Sequence, residues 1–397
     1  MNKHTISVKQ FIKNETVFCA AAALAALSCL AVKPGREYLG YIDYRTLALL
    51  FCLMALVACM QEIGVFTMLG HRLLSGTHGT KKLSFILVSL CFFCSMLITN
   101  DVALITFVPF TILVYQMVGK EEQLLKLVVL ETIAANLGSM GTPIGNPQNL
   151  YLYSVSGLSM KAFMETVLPY TFFSMLLLGT FLAVGKNEPL SVRVRMGKRP
   201  EDAGVFIRRL AVYLVLFFLN ILVVLHFLAW QSVLAAVILW MLAKDRKVLK
   251  ELDYVLLLTF VCFFIFVGNM KRIDAVNIRL MELIQGRELV TGIAASQIIS
   301  NVPAAILLSG FTDRYKTLLA AVNLGGLGTL IASLASLISY KFFARSYPGK
   351  KGRYLLEFTF WNLVFLIPLT GLALLLNSHG SIPRCTETPR GILPCEQ

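Results

Sequence analysis

The chain has 397 residues, 57% of them hydrophobic and only 15% charged, with a mean hydropathy of +0.73. A soluble domain carries about 25% charged residues, so this composition excludes an ordinary soluble enzyme or a disordered binding module. The net charge of +14 invites a nucleic-acid partner, but the basic residues collect in short links, at Lys186–Arg209, Lys244–Asp253 and Lys341–Arg353. That is how cytoplasmic loops are marked, so the expected partner is the lipid bilayer and no nucleic acid.

Apolar runs of about 20 residues match a hydrocarbon core roughly 30 Å thick. Thr16–Val32 follows Lys3, Lys9 and Lys13 and reads as an uncleaved first span with a cytoplasmic N-terminus. Tyr44–Leu69 is longer than a span needs and is expected to tilt or lie partly in the interface, with Gln61 and Glu62 near its end. Residues 83–118 are apolar except at Thr99, Asn100 and Asp101. They are too few for two spans and a turn, and predict a re-entrant hairpin entering from inside. Residues 124–157 predict a span broken by GSMGTPIGNPQN, where prolines and glycines oppose a continuous helix. Met164–Gly185 returns to the basic link.

In the second half, Leu210–Leu228, Ala229–Ala243 and Tyr254–Asn269 are candidate spans. Residues 289–311 carry SNVP at their centre and predict a second hairpin, entering from outside. Thr317–Tyr340 contains NLGGLGTLIASLAS and predicts a second interrupted helix, and Leu355–Asn377 closes the bundle. The expected architecture is all-α and polytopic. Residues 1–185 form one repeat, 186–209 a cytoplasmic linker, 210–377 a linking helix and an inverted repeat, and 378–397 a polar outside tail. Seven cysteines sit in apolar runs as small hydrophobes, and the Cys91/Cys94 pair lacks the partners of a metal site. Cys385 and Cys395 in the tail are candidates for a disulfide.

The halves align at their polar interruptions. Thr99, Asn100 and Ala103 match Ser300, Asn301 and Ala304. Gly138, Gly141, Thr142 and Ile144 match Gly325, Gly328, Thr329 and Ile331, while Asn146 and Asn149 match Ser333 and Ser336. Gly145 adds a third glycine to the first break. Inverted repeats with interrupted apolar segments point to a secondary transporter with a midplane site. Broken backbone survives at membrane depth only where protein buries it or a cavity hydrates it. There, helix N-termini attract an anion and freed carbonyls hold a cation.

TNDVAL, TPIGNPQNL, SQIISNVPAAILL and NLGGLGTLIASLASLI, in this order, resemble the ion transporter superfamily. The resemblance is closest to its citrate-transporter-like bacterial inner-membrane permeases, relatives of the divalent-anion sodium symporters and arsenite efflux permeases. It implies a scaffold domain and a transport domain with opposed hairpins, often in homodimers that work by an elevator motion. In the anion symporters the tips carry a Ser-Asn-Thr signature that helps bind sodium and substrate. The matching positions are Thr99, Asn100 and Asp101, and Ser300, Asn301 and Val302, so the third member departs in both halves.

Asp101 is the tip carboxylate, and a carboxylate within apolar sequence is a functional hypothesis by default. It is a candidate sodium ligand together with Asn100, a candidate proton site, or a cap of the second hairpin arm. Glu131, five residues before Asn136, is a second candidate proton site. No Lys or Arg lies near the four motifs. The expected function is secondary active transport of a small inorganic or carboxylate anion, coupled to a sodium or proton gradient. Arsenite or antimonite efflux and sodium/proton antiport on the same scaffold are the alternatives. No cofactor beyond a sodium ion is expected, and no motif of an intramembrane enzyme is present.

Overall fold

The computed structural model describes residues 15–74, 77, 79–185, 187–190 and 203–379. Lys3, Lys9, Lys13, most of the basic link, Cys385 and Cys395 lie outside the described residues. No strand occurs among the described residues, and seven helices are long and apolar enough to cross a membrane.

The first half contains α1 (Thr16–Ala31), α2 (Tyr44–Glu62), α3 (Val65–Leu74), α4 (Thr80–Ile98), α5 (Asn100–Met117), α6 (Glu121–Ser139), α7 (Pro147–Ser156) and α8 (Met160–Val184). The second contains α9 (Ala203–Val224), α10 (Trp230–Lys244), α11 (Tyr254–Lys271), α12 (Asp274–Ile284) and α13 (Glu288–Ile299). It continues through α14 (Asn301–Ser309), α15 (Tyr315–Leu324), α16 (Leu334–Ser346) and α17 (Lys351–His379). Both interrupted helices break where expected, between α6 and α7 and between α15 and α16.

Two expectations change. Tyr44–Leu69 is not one tilted span, because Gly64 takes φ 77° and separates α2 from α3. A left-handed glycine ends helices readily because it has no Cβ to clash. The arms of the first hairpin are 19 and 18 residues, each long and apolar enough to cross a membrane. At 1.5 Å per residue they reach roughly 27–28 Å, and a single residue, Thr99, makes the turn between them. The second hairpin is shorter, with arms of 12 and 9 residues. Between α11 and α13 lies α12, whose charges include Arg279 and Glu282.

Packing repeats between the halves. α4 lies along α6 as α13 lies along α15, and α5 packs on α16 as α14 packs on α7. The second arm of each hairpin therefore rests on the far side of the other half's break. Around this centre, α1 packs on α11, and α2 on α9 and α10. Arg209 and Tyr213 of α9 and Trp240 of α10 all bond to the buried Asp245 carboxylate, at 2.6, 3.0 and 3.1 Å. That cluster ties the linking helix to its neighbour, because a buried charge has to be paired and hydrogen-bonded. The seven cysteines of the apolar runs are all free thiols, and no cluster of metal-ligating side chains occurs among the described residues.

Candidate functional site: hairpin tips and helix breaks

Each hairpin turns on one residue held in the same unusual conformation. Thr99 has φ 71° and ψ 152°, and Ser300 has φ 74° and ψ 154°. That region belongs almost entirely to glycine and costs on the order of 1–3 kcal/mol for a residue with a Cβ. The turn aims the next backbone N–H at the neighbouring break. Asn100 N donates to Gly145 O at 3.2 Å, and Asn301 N donates to Ala332 O at 2.9 Å. A second matching pair lies beside the first. Thr142 Oγ1 donates to Met96 O at 2.5 Å, and Thr329 Oγ1 donates to Gln297 O at 3.2 Å.

The breaks follow from local chemistry. Pro147 supplies no N–H and suits the first helical position of α7, which Asn146 caps by accepting from Asn149 N at 2.8 Å. Gly138 permits contact with α4: a Cβ there would lie 2.1 Å from Phe92 O. A Cβ at the matching Gly325 would lie 2.6 Å from Ser296 Oγ on α13. A Cβ at Gly145 would strike Ser139 O at 2.1 Å, while Gly141 lies close to Met96 and Thr171. Gly328 adopts φ 112°, a conformation that the matching Gly141 does not need.

Between the breaks runs a buried network of neutral side chains centred on Asn136 and Asn323. Asn136 Oδ1 accepts from Asn100 Nδ2 and from Ser333 Oγ, both at 3.0 Å, and its Nδ2 donates to Ser336 Oγ at 3.4 Å. Asn323 Oδ1 accepts from Asn146 Nδ2 at 3.0 Å, and its Nδ2 donates to Asn149 Oδ1 at 2.6 Å. The two sets correspond, since Asn146 and Asn149 match Ser333 and Ser336. Asn149 Nδ2 also donates to Met140 O at 3.1 Å and Thr142 O at 2.9 Å, holding the loop of the break.

Asn136 and Asn323 are site residues that the sequence reading did not select. Their signal is present, since both open a triplet Asn-Leu-Gly whose last residue is the aligned glycine, Gly138 or Gly325. Gln297 is a further residue of this kind. It stitches the second tip to its break, with Nε2 donating to Gly325 O and Leu327 O and Oε1 accepting from Thr329 N. As a single amide in an apolar run it stood out little.

The remaining candidates divide by position. Ser300 Oγ reaches Ala332 O at 3.4 Å. Thr329 is exposed. Asn100 and Asp101 point apart: Asn100 turns to Asn136, whereas half-buried Asp101 lies within electrostatic reach of Asp253, the N-cap of α11. The Asp101 carboxylate caps nothing. Its own N–H donates to Asn100 Oδ1 at 3.0 Å, and the acid makes no hydrogen bond or ion pair among the described residues. Glu131 is fully buried on α6, five residues before Asn136, with Thr111 Oγ1 donating to Oε1 at 2.5 Å.

The N-termini of α5, α7, α14 and α16 thus meet around one neutral cluster. Helix dipoles converging in this way give such a centre positive partial charge. A polytopic helical body with two such breaks defines an integral membrane transporter. The chain belongs to the citrate transporter family (CitMHS), whose match covers residues 11–313. It is 31% identical over 306 residues to the uncharacterized transporter MJ0456 of Methanocaldococcus jannaschii, covering 77% of this chain and 82% of that protein. It is 34% identical over 307 residues to the inner membrane protein YbiR of Escherichia coli, covering 76% and 80%. A shorter stretch of 130 residues is 33% identical to the silicon efflux transporter LSI3 of Oryza sativa subsp. japonica, covering 32% of this chain and 26% of that protein.

Proposed function

We propose that this protein is a secondary active transporter that moves a small anion, coupled to a sodium or proton gradient, by an elevator-type motion. The observation that carries the reading is the matched joining of tips to breaks, Asn100 N to Gly145 O and Asn301 N to Ala332 O. Two equivalent halves, each with its own tip and break, give a central site two exits related by symmetry. The anion takes the helix N-termini at Thr99, Asn100, Ser300 and Asn301, with the loops at Gly138–Asn149 and Gly325–Ser336 around it. A sodium ion takes loop carbonyls and the unpartnered Asp101 carboxylate. In this scheme the hairpins are re-entrant and oppositely directed, and the protein works as a homodimer in a bacterial inner membrane. Its N-terminus is cytoplasmic and its C-terminus outside, in keeping with the basic links.

A second reading, efflux of a small neutral or weakly acidic oxyacid such as arsenite, draws on one feature. Every side chain in the central network, from Asn100 and Asn136 to Asn323 and Ser336, is uncharged.

Thermal unfolding of the purified protein decides between them, because specific binding stabilises the folded state by about 2.7 kcal/mol at a hundredfold excess over Kd. The proposal expects citrate or another small carboxylate to raise Tm, and to raise it further with sodium or at lower pH. A shift with arsenite alone favours the second reading. No shift with any carboxylate, sulfate, phosphate or arsenite contradicts both.

A further inference from the structure

Glu131 is fully buried and uses only one of its oxygens. Oε1 accepts from Thr111 Oγ1, while Oε2 has no hydrogen-bond partner. No cation pairs with it among the described residues. The titratable groups within electrostatic reach are Cys91 on α4, Tyr115 on α5 and Tyr354 on α17, and none of them is a base that would neutralise it. From α16, the Tyr340 ring packs against Tyr354, with centroids 5.6 Å apart and planes tilted by 53°. An ionised carboxylate left unpaired among apolar helices is strongly disfavoured. Leucine of similar size would fill the place at no such cost, and the matching position of the second half is indeed Leu318.

The surroundings also supply a way in. A cavity of about 380 Å³ opens at the end of the molecule where α4, α6, α8 and α17 meet, lined by Lys81, Ser84, Lys126, Leu130 and Arg353 among others. Leu130 adjoins Glu131 on α6. Ser84, in the cavity wall, lies 2.7 Å from the Tyr115 hydroxyl, hydroxyl to hydroxyl. Tyr115 in turn stands one helical turn from Thr111, on the same face of α5. The hydroxyls of Ser84, Tyr115 and Thr111 thus stand between the cavity and the acid, with hydrogen bonds at Ser84–Tyr115 and Thr111–Glu131.

We propose that Glu131 is an occluded proton-binding site, loaded from this cavity past Ser84 and Tyr115. Resting on the transport reading above, this makes the proton a coupling ion, held apart from the anion site. The proton settles on the unpartnered Oε2 and leaves by the same route, with no other bond made or broken.

Difference infrared spectroscopy of the full chain in phosphatidylethanolamine/phosphatidylglycerol vesicles tests this without any substrate. The wild type should show a protonated carboxyl C=O band that titrates with pH. Glu131→Gln should lose that band, and Thr111→Val should shift it by removing the hydrogen bond to Oε1. After a pH jump, Tyr115→Phe should keep the band but slow its response severalfold. A band unchanged in both Glu131→Gln and Thr111→Val overturns the proton site. An unaltered rate in Tyr115→Phe overturns the route. If Glu131→Gln does not fold, Thr111→Val alone decides. A protein that shows the band yet binds no anion would sink the transport reading instead and leave Glu131 as a proton site.

Discussion

Asn323 accepts a hydrogen bond from Asn146 at 3.0 Å, joining the start of the second break to the cap of the first. The same Asn323 amide donates to Asn149 Oδ1 at 2.6 Å and to Leu319 O at 2.8 Å. Asn323→Leu keeps the volume but deprives Asn149 Oδ1 of its donor and Asn146 Nδ2 of one acceptor. Each buried polar group left unsatisfied costs about 1–3 kcal/mol. Denaturant unfolding in detergent should register a loss of that order, and a change under about 0.5 kcal/mol would mean that the network does not hold the breaks together.

Gly138 and Gly325 are equivalent in sequence but not in tolerance. A Cβ at Gly138 meets the Phe92 carbonyl at 2.1 Å, which is backbone and cannot yield cheaply. At Gly325 the first obstacle is the Ser296 side chain at 2.6 Å, followed by Ala321 O at 2.9 Å. Overpacking of this kind costs about 1–3 kcal/mol or more. Gly138→Ala should therefore lower Tm more than Gly325→Ala, and the reverse order would argue against the close packing of α4 on α6.

Thr99 and Ser300 sit in backbone conformations that favour glycine. Thr99→Gly and Ser300→Gly should hold or raise stability by up to about 1 kcal/mol, since relieved strain offsets the entropy that glycine adds to the unfolded chain. Thr99→Val, which keeps the strain, should not. Calorimetry of the three variants separates these outcomes. A marked loss of stability on substitution by glycine would show that the tips are not strained.

Much of this arrangement is legible in the sequence, and the reason is physical. Broken backbone in a membrane needs Gly, Pro and short polar residues, so GSMGTPIGNPQN and GGLGTLIASLAS announce themselves against apolar surroundings. The tips Thr99 and Ser300 were found for the same cause. Partnerships were less visible. That Asn136 and Asn323 would gather the breaks depends on which helix faces each meet, and one asparagine on a helix says little about that. The full length of α4 and α5 was hidden because the turn consumes a single residue, leaving no loop to mark two long arms. Gly64, a lone glycine in an apolar run, gave no reason to expect that α2 would end there.

Asp101 and Asn100 face different ways, and this sharpens what removal of the carboxylate should do. Asp101→Asn leaves the Asn100–Asn136 bond intact and also eases the repulsion from nearby Asp253. The folded protein should be as stable as wild type or slightly more so, while its dependence on the coupling cation falls. Thermal shifts in sodium and potassium buffers check this. An unchanged sodium response would remove Asp101 from the cation site.

The most direct test of the account is accumulation of radiolabelled citrate by the full chain in sealed vesicles, with sodium and pH gradients imposed separately. The account predicts accumulation above equilibrium under at least one gradient, collapse when that gradient is dissipated, and at least a tenfold loss in Asn301→Ala. That loss corresponds to about 1.4 kcal/mol of binding or barrier energy. Uptake that only equilibrates, whatever gradient is applied, or an Asn301→Ala variant that accumulates as well as wild type, would contradict it.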